Sequence, residues 1–231
     1  VRGIVLEDDD QSGEDLQFWP DVVRSGIEAH QRDLAESPNL ALDARLMVLA
    51  ETAHALAMAM EFGFLIDPDR LLLSIGYQTS EAALDPSCYD LLASEARLAS
   101  FIAIAKGDAP ARHWFRLGRA VTPVASGAAL ISWSGSMFEY LMPSIVMRAP
   151  ADSLIEQTNR LIVDRQIEYG SRLQAPWGVS ESAYNARDLD FTYQYSNFGV
   201  PGLGLKRGLA DSAVVAPYAT ALASLADSNL P

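Results

Sequence analysis

The chain is poor in cysteine and histidine. Cys88 is its only cysteine, and His30, His54 and His113 are scattered. An intrachain disulfide is therefore excluded, and no Cys-His cluster for a zinc site can be drawn from the spacing, so neither metal nor cofactor is expected. Basic residues are scarce as well: 17 Lys and Arg stand against 30 Asp and Glu, for a net charge of −13. A surface of that sign repels phosphate backbones and anionic lipid, which argues against nucleic-acid binding and polybasic membrane attachment. No secretory leader pattern is visible. The longest apolar run, Leu46 to Leu65, is interrupted by Glu51, His54 and Glu61. Such groups are costly in hydrocarbon, so the run reads as a buried helix, with no membrane insertion by this segment. The start at Val1 and the end at Ser228-Asn229-Leu230-Pro231 read as a fragment of something longer. What remains is 231 residues of which 49% are hydrophobic, enough for one globular domain with a substantial core.

Apolar residues at Leu16, Val22, Val23, Ile27 and Leu34 predict a first helix after the acidic start, with Pro20 in its first turn. The Ala, Leu and Met rich stretch from Leu40 to Phe64 predicts a long helix buried on most of its circumference, capped by Ser37 or Asn39 and ended at Gly63. Leu71 to Ile75 reads as a strand, and a turn-rich stretch with Gly76 and Pro86 follows. Further helices are predicted from Tyr89 to Lys106, from Met137 to Met147, from Ala151 to Gln174 with Asp152 as N-cap, and from near Ala213. Two short strands are expected around Ser126-Gly127. Helices joined by polar, irregular connections put the chain in the mostly helical class, where a toroid with a loop-lined cleft and a simple bundle fit equally well.

The segment APWGVSESAYNARDLDFTYQYSNFGVPGLG, Ala175 to Gly204, has no helical periodicity and concentrates aromatics, carboxylates, amides and glycines. Sugars are bound by stacking on aromatic rings while carboxylates and amides bond their hydroxyls. Trp177, Glu181, Tyr184, Asn185, Asp188, Tyr193, Tyr195 and Asn197 offer both kinds of group, although an irregular loop packed by its own aromatics has the same composition. Glycoside chemistry needs two carboxyl groups, one to protonate the leaving oxygen and one to act as nucleophile or base. Three candidates stand out: Glu95 among small residues on an apolar helix, Glu139 at a helix start, and Glu181 between two serines. For each one alone, a structural carboxylate paired with Arg97, Arg119, Arg148 or Arg187 is the better reading, and only convergence in space would reverse that. Gly199, Gly202 and Gly204 lack the strand-turn-helix frame of a dinucleotide loop, and His113 beside Trp114 is more simply a packed histidine than a sugar contact.

Three segments, GYQTSEAALDPSCYDLLASEARLASFIAIAKGDAPARHWFRLGR, SWSGSMFEYLMPSIVMR and PWGVSESAYNARDLDFTYQYSNFGVPGLGLKRG, closely resemble cyclic β-1,2-glucan synthases, from about Gly76 onward. Within those membrane enzymes the stretch is similar to the central glucoamylase-like domain. The resemblance implies an all-α fold, an (α/α)6 toroid incomplete in this fragment, with short β-hairpins in the loops. Residues 1–70 would be leading helices and 71–231 the catalytic-cleft region. It further implies retaining transglycosylation that closes linear β-1,2-glucan into a ring, in a soluble domain on the cytoplasmic side of a bacterial inner-membrane enzyme, with the synthase's other domains as partners. Carried over residue by residue, the ASEAR motif makes Glu95 the general acid/base and the WGVSES motif makes Glu181 the nucleophile. Tyr89, Asp90, Trp133, Glu139, Trp177, Tyr184, Tyr193, Tyr195 and Asn197 become the sugar contacts. A β-1,2-glucan hydrolase, a non-catalytic glucan-binding module and a structural spacer are the competing readings.

Overall fold

The computed structural model describes residues 10–35 and 40–226. The chain divides into two compact units, 1–59 and 60–231. The first contains helices α1 (Asp10–Ala35) and α2 (Leu40–Ala59). Pro20 lies inside α1 rather than in its first turn, so one internal hydrogen bond is given up there. The caps expected at Ser37 or Asn39 fall outside the described residues. The described side chains of α2 are exposed, with Leu46 at 52% and Leu56 at 67%, which corrects the expectation of a buried helix. Composition sets how apolar a helix is but supplies no neighbour to cover it. The stretch Leu42–Leu65, of mean hydropathy 1.3, is long and apolar enough to cross a membrane by length and composition.

The second unit is where the all-α expectation fails. Among the described residues it holds nine strands in four small antiparallel sheets beside four α-helices, so a purely helical toroid is not what the chain forms. Gly63 opens a 3-10 turn, Gly63–Leu65, and β1 (Ile66–Asp67), β2 (Leu72–Ser74) and β5 (Cys88–Tyr89) make one sheet. Between β2 and β5 lies the hairpin of β3 (Tyr77–Gln78) and β4 (Ala83–Leu84). Most of these strands have two or three residues, too few for the period-2 alternation by which a strand is recognised in sequence. Helix α3 spans Arg97–Lys106 and stops at Gly107, eight residues shorter at its start than periodicity suggested. Tertiary hydrogen bonds take the missing turns: Gly118 N–H donates to Asp90 O at 2.6 Å and Leu92 N–H to Gly118 O at 3.0 Å.

The hairpin expected around Ser126-Gly127 is present as β6 (Val121–Val124) and β7 (Gly127–Leu130). Helix α4 is short, Met137–Leu141, and continues as a 3-10 turn, Met142–Ile145, across Pro143. Helix α5 (Leu154–Leu173) is capped by Ser153, whose hydroxyl accepts from Glu156 N–H at 3.2 Å; Asp152, the expected cap, is one position too early. The last hairpin, β8 (Ser182–Arg187) with β9 (Tyr193–Ser196), precedes α6 (Pro217–Ala223), which starts later than Ala213. The core gathers Leu130, Met137, Tyr140, Leu141, Ile162, Val163, Val179, Val200 and Leu203 between β7, α4, α5 and the segment after β9. Buried Tyr140 bonds across it: its hydroxyl accepts from Ser132 N–H at 3.1 Å and lies 2.8 Å from Leu203 O. His113 is fully buried, with Nδ1 2.7 Å from Leu71 O and Nε2 2.9 Å from Ser100 Oγ. Leu71 O only accepts, so Nδ1 carries the proton and the histidine is a structural bridge.

Two glycines of FGVPGLG, Gly199 and Gly204, take part in this core packing. A Cβ on Gly199 would lie 1.9 Å from Ser134 O, and one on Gly204 would lie 2.4 Å from Ser134 C. The turn-containing segment 199–204 is thus pressed directly on the backbone of residues 132–135, which only a residue without a side chain permits at Gly199 and Gly204.

Candidate active site

Glu95 lies in the turn just before α3, half-buried, with Ser94 Oγ donating to its Oε2 at 3.3 Å. The turn is clamped by Arg97, which is 2% exposed. Nη1 donates to Ser94 O and to Glu139 O, each at 3.2 Å, and Nη2 donates to Tyr140 O at 2.7 Å, so the guanidinium ties the Glu95 turn to α4. Burial lowers its pKa to about 10. Burial is also the main reason that the Glu95 carboxyl is pushed above its ordinary value, and the charges of Glu139 and Glu181 push it the same way.

Glu139 is 7% exposed and its oxygens are occupied from within. Ser132 Oγ and Ser134 Oγ donate to Oε2 at 2.7 Å each, Ser136 N–H donates to it at 3.2 Å, and Ser134 N–H bridges both oxygens at 3.0 and 3.1 Å. Ser136 and Glu139 form a capping box at the start of α4. Alternating serines in SWSGS, with the glutamate at the third helical position, are the local code for this cage.

Glu181 is half-buried immediately before β8. Tyr195 Oη donates to its Oε2 at 2.6 Å, and Tyr218 Oη donates to its backbone O at 2.7 Å. Tyr218 also lies 3.0 Å from Ser180 Oγ; its one proton is already used, so Ser180 is the donor there. Removal from water, with the adjacent Glu181 carboxylate, raises the Tyr195 phenol above the ordinary tyrosine range, so it stays a donor at neutral pH. Among the described residues none of Glu95, Glu139 and Glu181 is in an ion pair; the arginine pairs go to Asp21, Glu28, Asp67, Glu156 and Glu168.

The remaining sugar-contact candidates fall into separate groups. Trp133, 46% exposed, donates from Nε1 to Asp90 Oδ1 at 2.9 Å, and Asp90 directly follows Tyr89, the last residue of β5. Register divides the last hairpin: Ala183 faces Tyr195, whereas Tyr184 faces Gln194 and Ser182 faces Ser196. Glu181, Tyr195 and Tyr193 therefore share one face by alternation, with Tyr193 under the Arg187 guanidinium at 4.3 Å. Tyr184 is on the other face, edge-on to Phe198 at 5.2 Å. There, with Ser196, Asn197, Lys206 and Ser212, it lines a cavity of about 250 Å³. Trp177 packs against the core, where a Cβ on Gly170 would meet it at 2.9 Å. Sequence reasoning missed Arg97 as a clamp and Tyr218 as an anchor; a lone Arg in an apolar helix and a Tyr after a helix-starting Pro carry no pattern that reveals such partners.

Residues 87–228 match the family model Glycoamylase, the glucoamylase family. The chain is 54% identical over 219 residues to the cyclic beta-(1,2)-glucan synthase NdvB of Rhizobium meliloti (strain 1021). That match covers 94% of this chain and 8% of the relative, so the chain spans a small part of the relative's length. Glu95, Glu139 and Glu181 all lie inside the matched region, and the chain belongs to the glucoamylase-like family.

Proposed function

We propose that this chain carries the ring-closing step on β-1,2-glucan, a retaining transglycosylation with Glu95 as general acid/base and Glu181 as nucleophile. The observation that supports the reading is the setting of Glu95, half-buried in the turn clamped by Arg97, where burial above all, and the charges of Glu139 and Glu181 in the same direction, push its carboxyl above the ordinary value. A carboxylic acid with a raised pKa is what acid-assisted glycoside cleavage requires of its general acid. In the first step Oε1 of Glu181 bonds to the anomeric carbon, the glycosidic C–O bond breaks, and the proton of Glu95 passes to the leaving oxygen. In the second step a hydroxyl from the far end of the same glucan attacks the anomeric carbon and gives its proton to Glu95, and the ester to Glu181 breaks. Linkage number and charge are unchanged overall, so no external donor is needed. Trp133, oriented by Asp90, together with Tyr89 and Tyr193, would hold sugar rings. Glu139 would keep the loop 132–136 in place rather than touch glucan.

A second reading is β-1,2-glucan hydrolysis: the ring of Tyr195 is 64% exposed, so although its hydroxyl is held against Glu181, the neighbourhood of the nucleophile is open to water. The test is to incubate the chain with linear β-1,2-glucan and separate the products. Rings support transglycosylation, shortened linear chains support hydrolysis, and unchanged glucan that nonetheless binds would leave only a binding module. Glu95→Gln and Glu181→Gln should each abolish turnover while glucan binding persists.

A further inference from the structure

Two tyrosines hold Glu181 in different ways. Tyr218, from α6, bonds its backbone oxygen at 2.7 Å, which fixes where the residue sits. Tyr195, from β9, bonds carboxylate Oε2 at 2.6 Å, which fixes how the carboxylate is turned. The second contact follows from register, because Tyr195 faces Ala183 and so stands on the same side of the hairpin as Glu181, two residues earlier. We propose that Tyr195 is the positioning residue of the nucleophile: by holding Oε2 it presents Oε1 of Glu181 to the anomeric carbon. This rests on the retaining reaction proposed above.

The hydroxyl keeps its proton throughout. Before attack it donates to a carboxylate oxygen; once Oε1 has bonded to carbon, Oε2 is the carbonyl oxygen of the ester and still accepts from Tyr195. The groups that act on the phenol are Glu181, Tyr218 and Glu95, all of which, like removal from water, oppose its ionisation. The assignment differs from the stacking role that aromatic composition suggested. Loss of a stacking ring weakens substrate binding, whereas loss of this hydroxyl leaves the ring in place and frees the carboxylate to rotate.

Tyr195→Phe and Tyr195→Ala would be compared with the wild-type chain on linear β-1,2-glucan. Tyr195→Phe is expected to lower kcat by roughly 10- to 100-fold, the worth of a hydrogen bond to a charged group, with KM unchanged; Tyr195→Ala should raise KM in addition. Independently of turnover, ionisation of the Tyr195 phenol is followed by NMR, with Tyr195→Phe identifying its signal. Glu181→Gln should bring that ionisation to lower pH. Wild-type kcat in Tyr195→Phe, with the wild-type chain active, overturns this inference alone. A phenol titration indifferent to Glu181→Gln overturns it by removing the bond itself. If the wild-type chain turns over no glucan although the phenol responds to Glu181→Gln, the proposed reaction fails and the positioning role falls with it.

Discussion

Replacing Glu139 with alanine removes the acceptor at the centre of a buried cage. Four donors converge on it: the hydroxyls of Ser132 and Ser134 and the N–H groups of Ser134 and Ser136. The hydroxyls can rotate toward other acceptors. The two N–H groups cannot, and each buried unsatisfied donor costs about 1–3 kcal/mol. Glu139→Ala should therefore destabilise the fold by about 4 kcal/mol, a large part of the roughly 5–15 kcal/mol that holds a domain together. Glu139→Gln keeps one acceptor oxygen and the same shape, so its loss should be about half as great, since only the amide NH2 is misplaced among donors. Urea unfolding followed by tryptophan fluorescence measures both. The reasoning is refuted if Glu139→Ala lies within about 1 kcal/mol of wild type, or if the glutamine variant is as unstable as the alanine one. A cycle with Ser134→Ala adds a check, because the combined loss should be less than the sum if the two residues share the same bonds.

Three further outcomes are expected. Because Glu95 has a raised pKa in the folded chain, it binds its proton more tightly folded than unfolded; its contribution is fully stabilising below the unfolded pKa and is lost as pH rises through the folded one. Glu95→Gln should thus flatten the pH dependence of stability across that window, and a wild-type and variant pair with identical pH profiles in urea would contradict this. Gly204→Ala places a Cβ 2.4 Å from Ser134 C, so the backbone of 132–135 must move, with a loss of about 3 kcal/mol by thermal or urea unfolding; a wild-type midpoint would show that the close approach is not real. Asp90→Ala releases the Trp133 indole and should weaken glucan binding several-fold in a fluorescence titration while leaving the unfolding midpoint nearly unchanged, and unaltered affinity would remove Trp133 from the site.

Local patterns in the sequence were sufficient for the hairpin at Ser126-Gly127, for the body of α5 and for the stop of α3 at Gly107, because turn residues and 3.6-residue periodicity act within a few positions. The glutamates and aromatics that stand out as chemically able were likewise legible, since residue type sets what a group can donate, accept or stack upon. Everything that depends on a distant partner was not. Asp90 to Leu92 leave the helical pattern because Gly118 offers them backbone bonds, and α2 lies exposed although its composition is that of a core helix. The division of Tyr184 from Tyr195 depends on which residues of β8 and β9 face each other, and the sequestering of Glu139 depends on loop 132–136 folding back over it. Sequence thus determined the inventory of groups and their local geometry. Only tertiary packing decided which carboxylate is buried among donors and which keeps an oxygen free, because solvation and hydrogen-bond partners are properties of neighbours in space rather than along the chain.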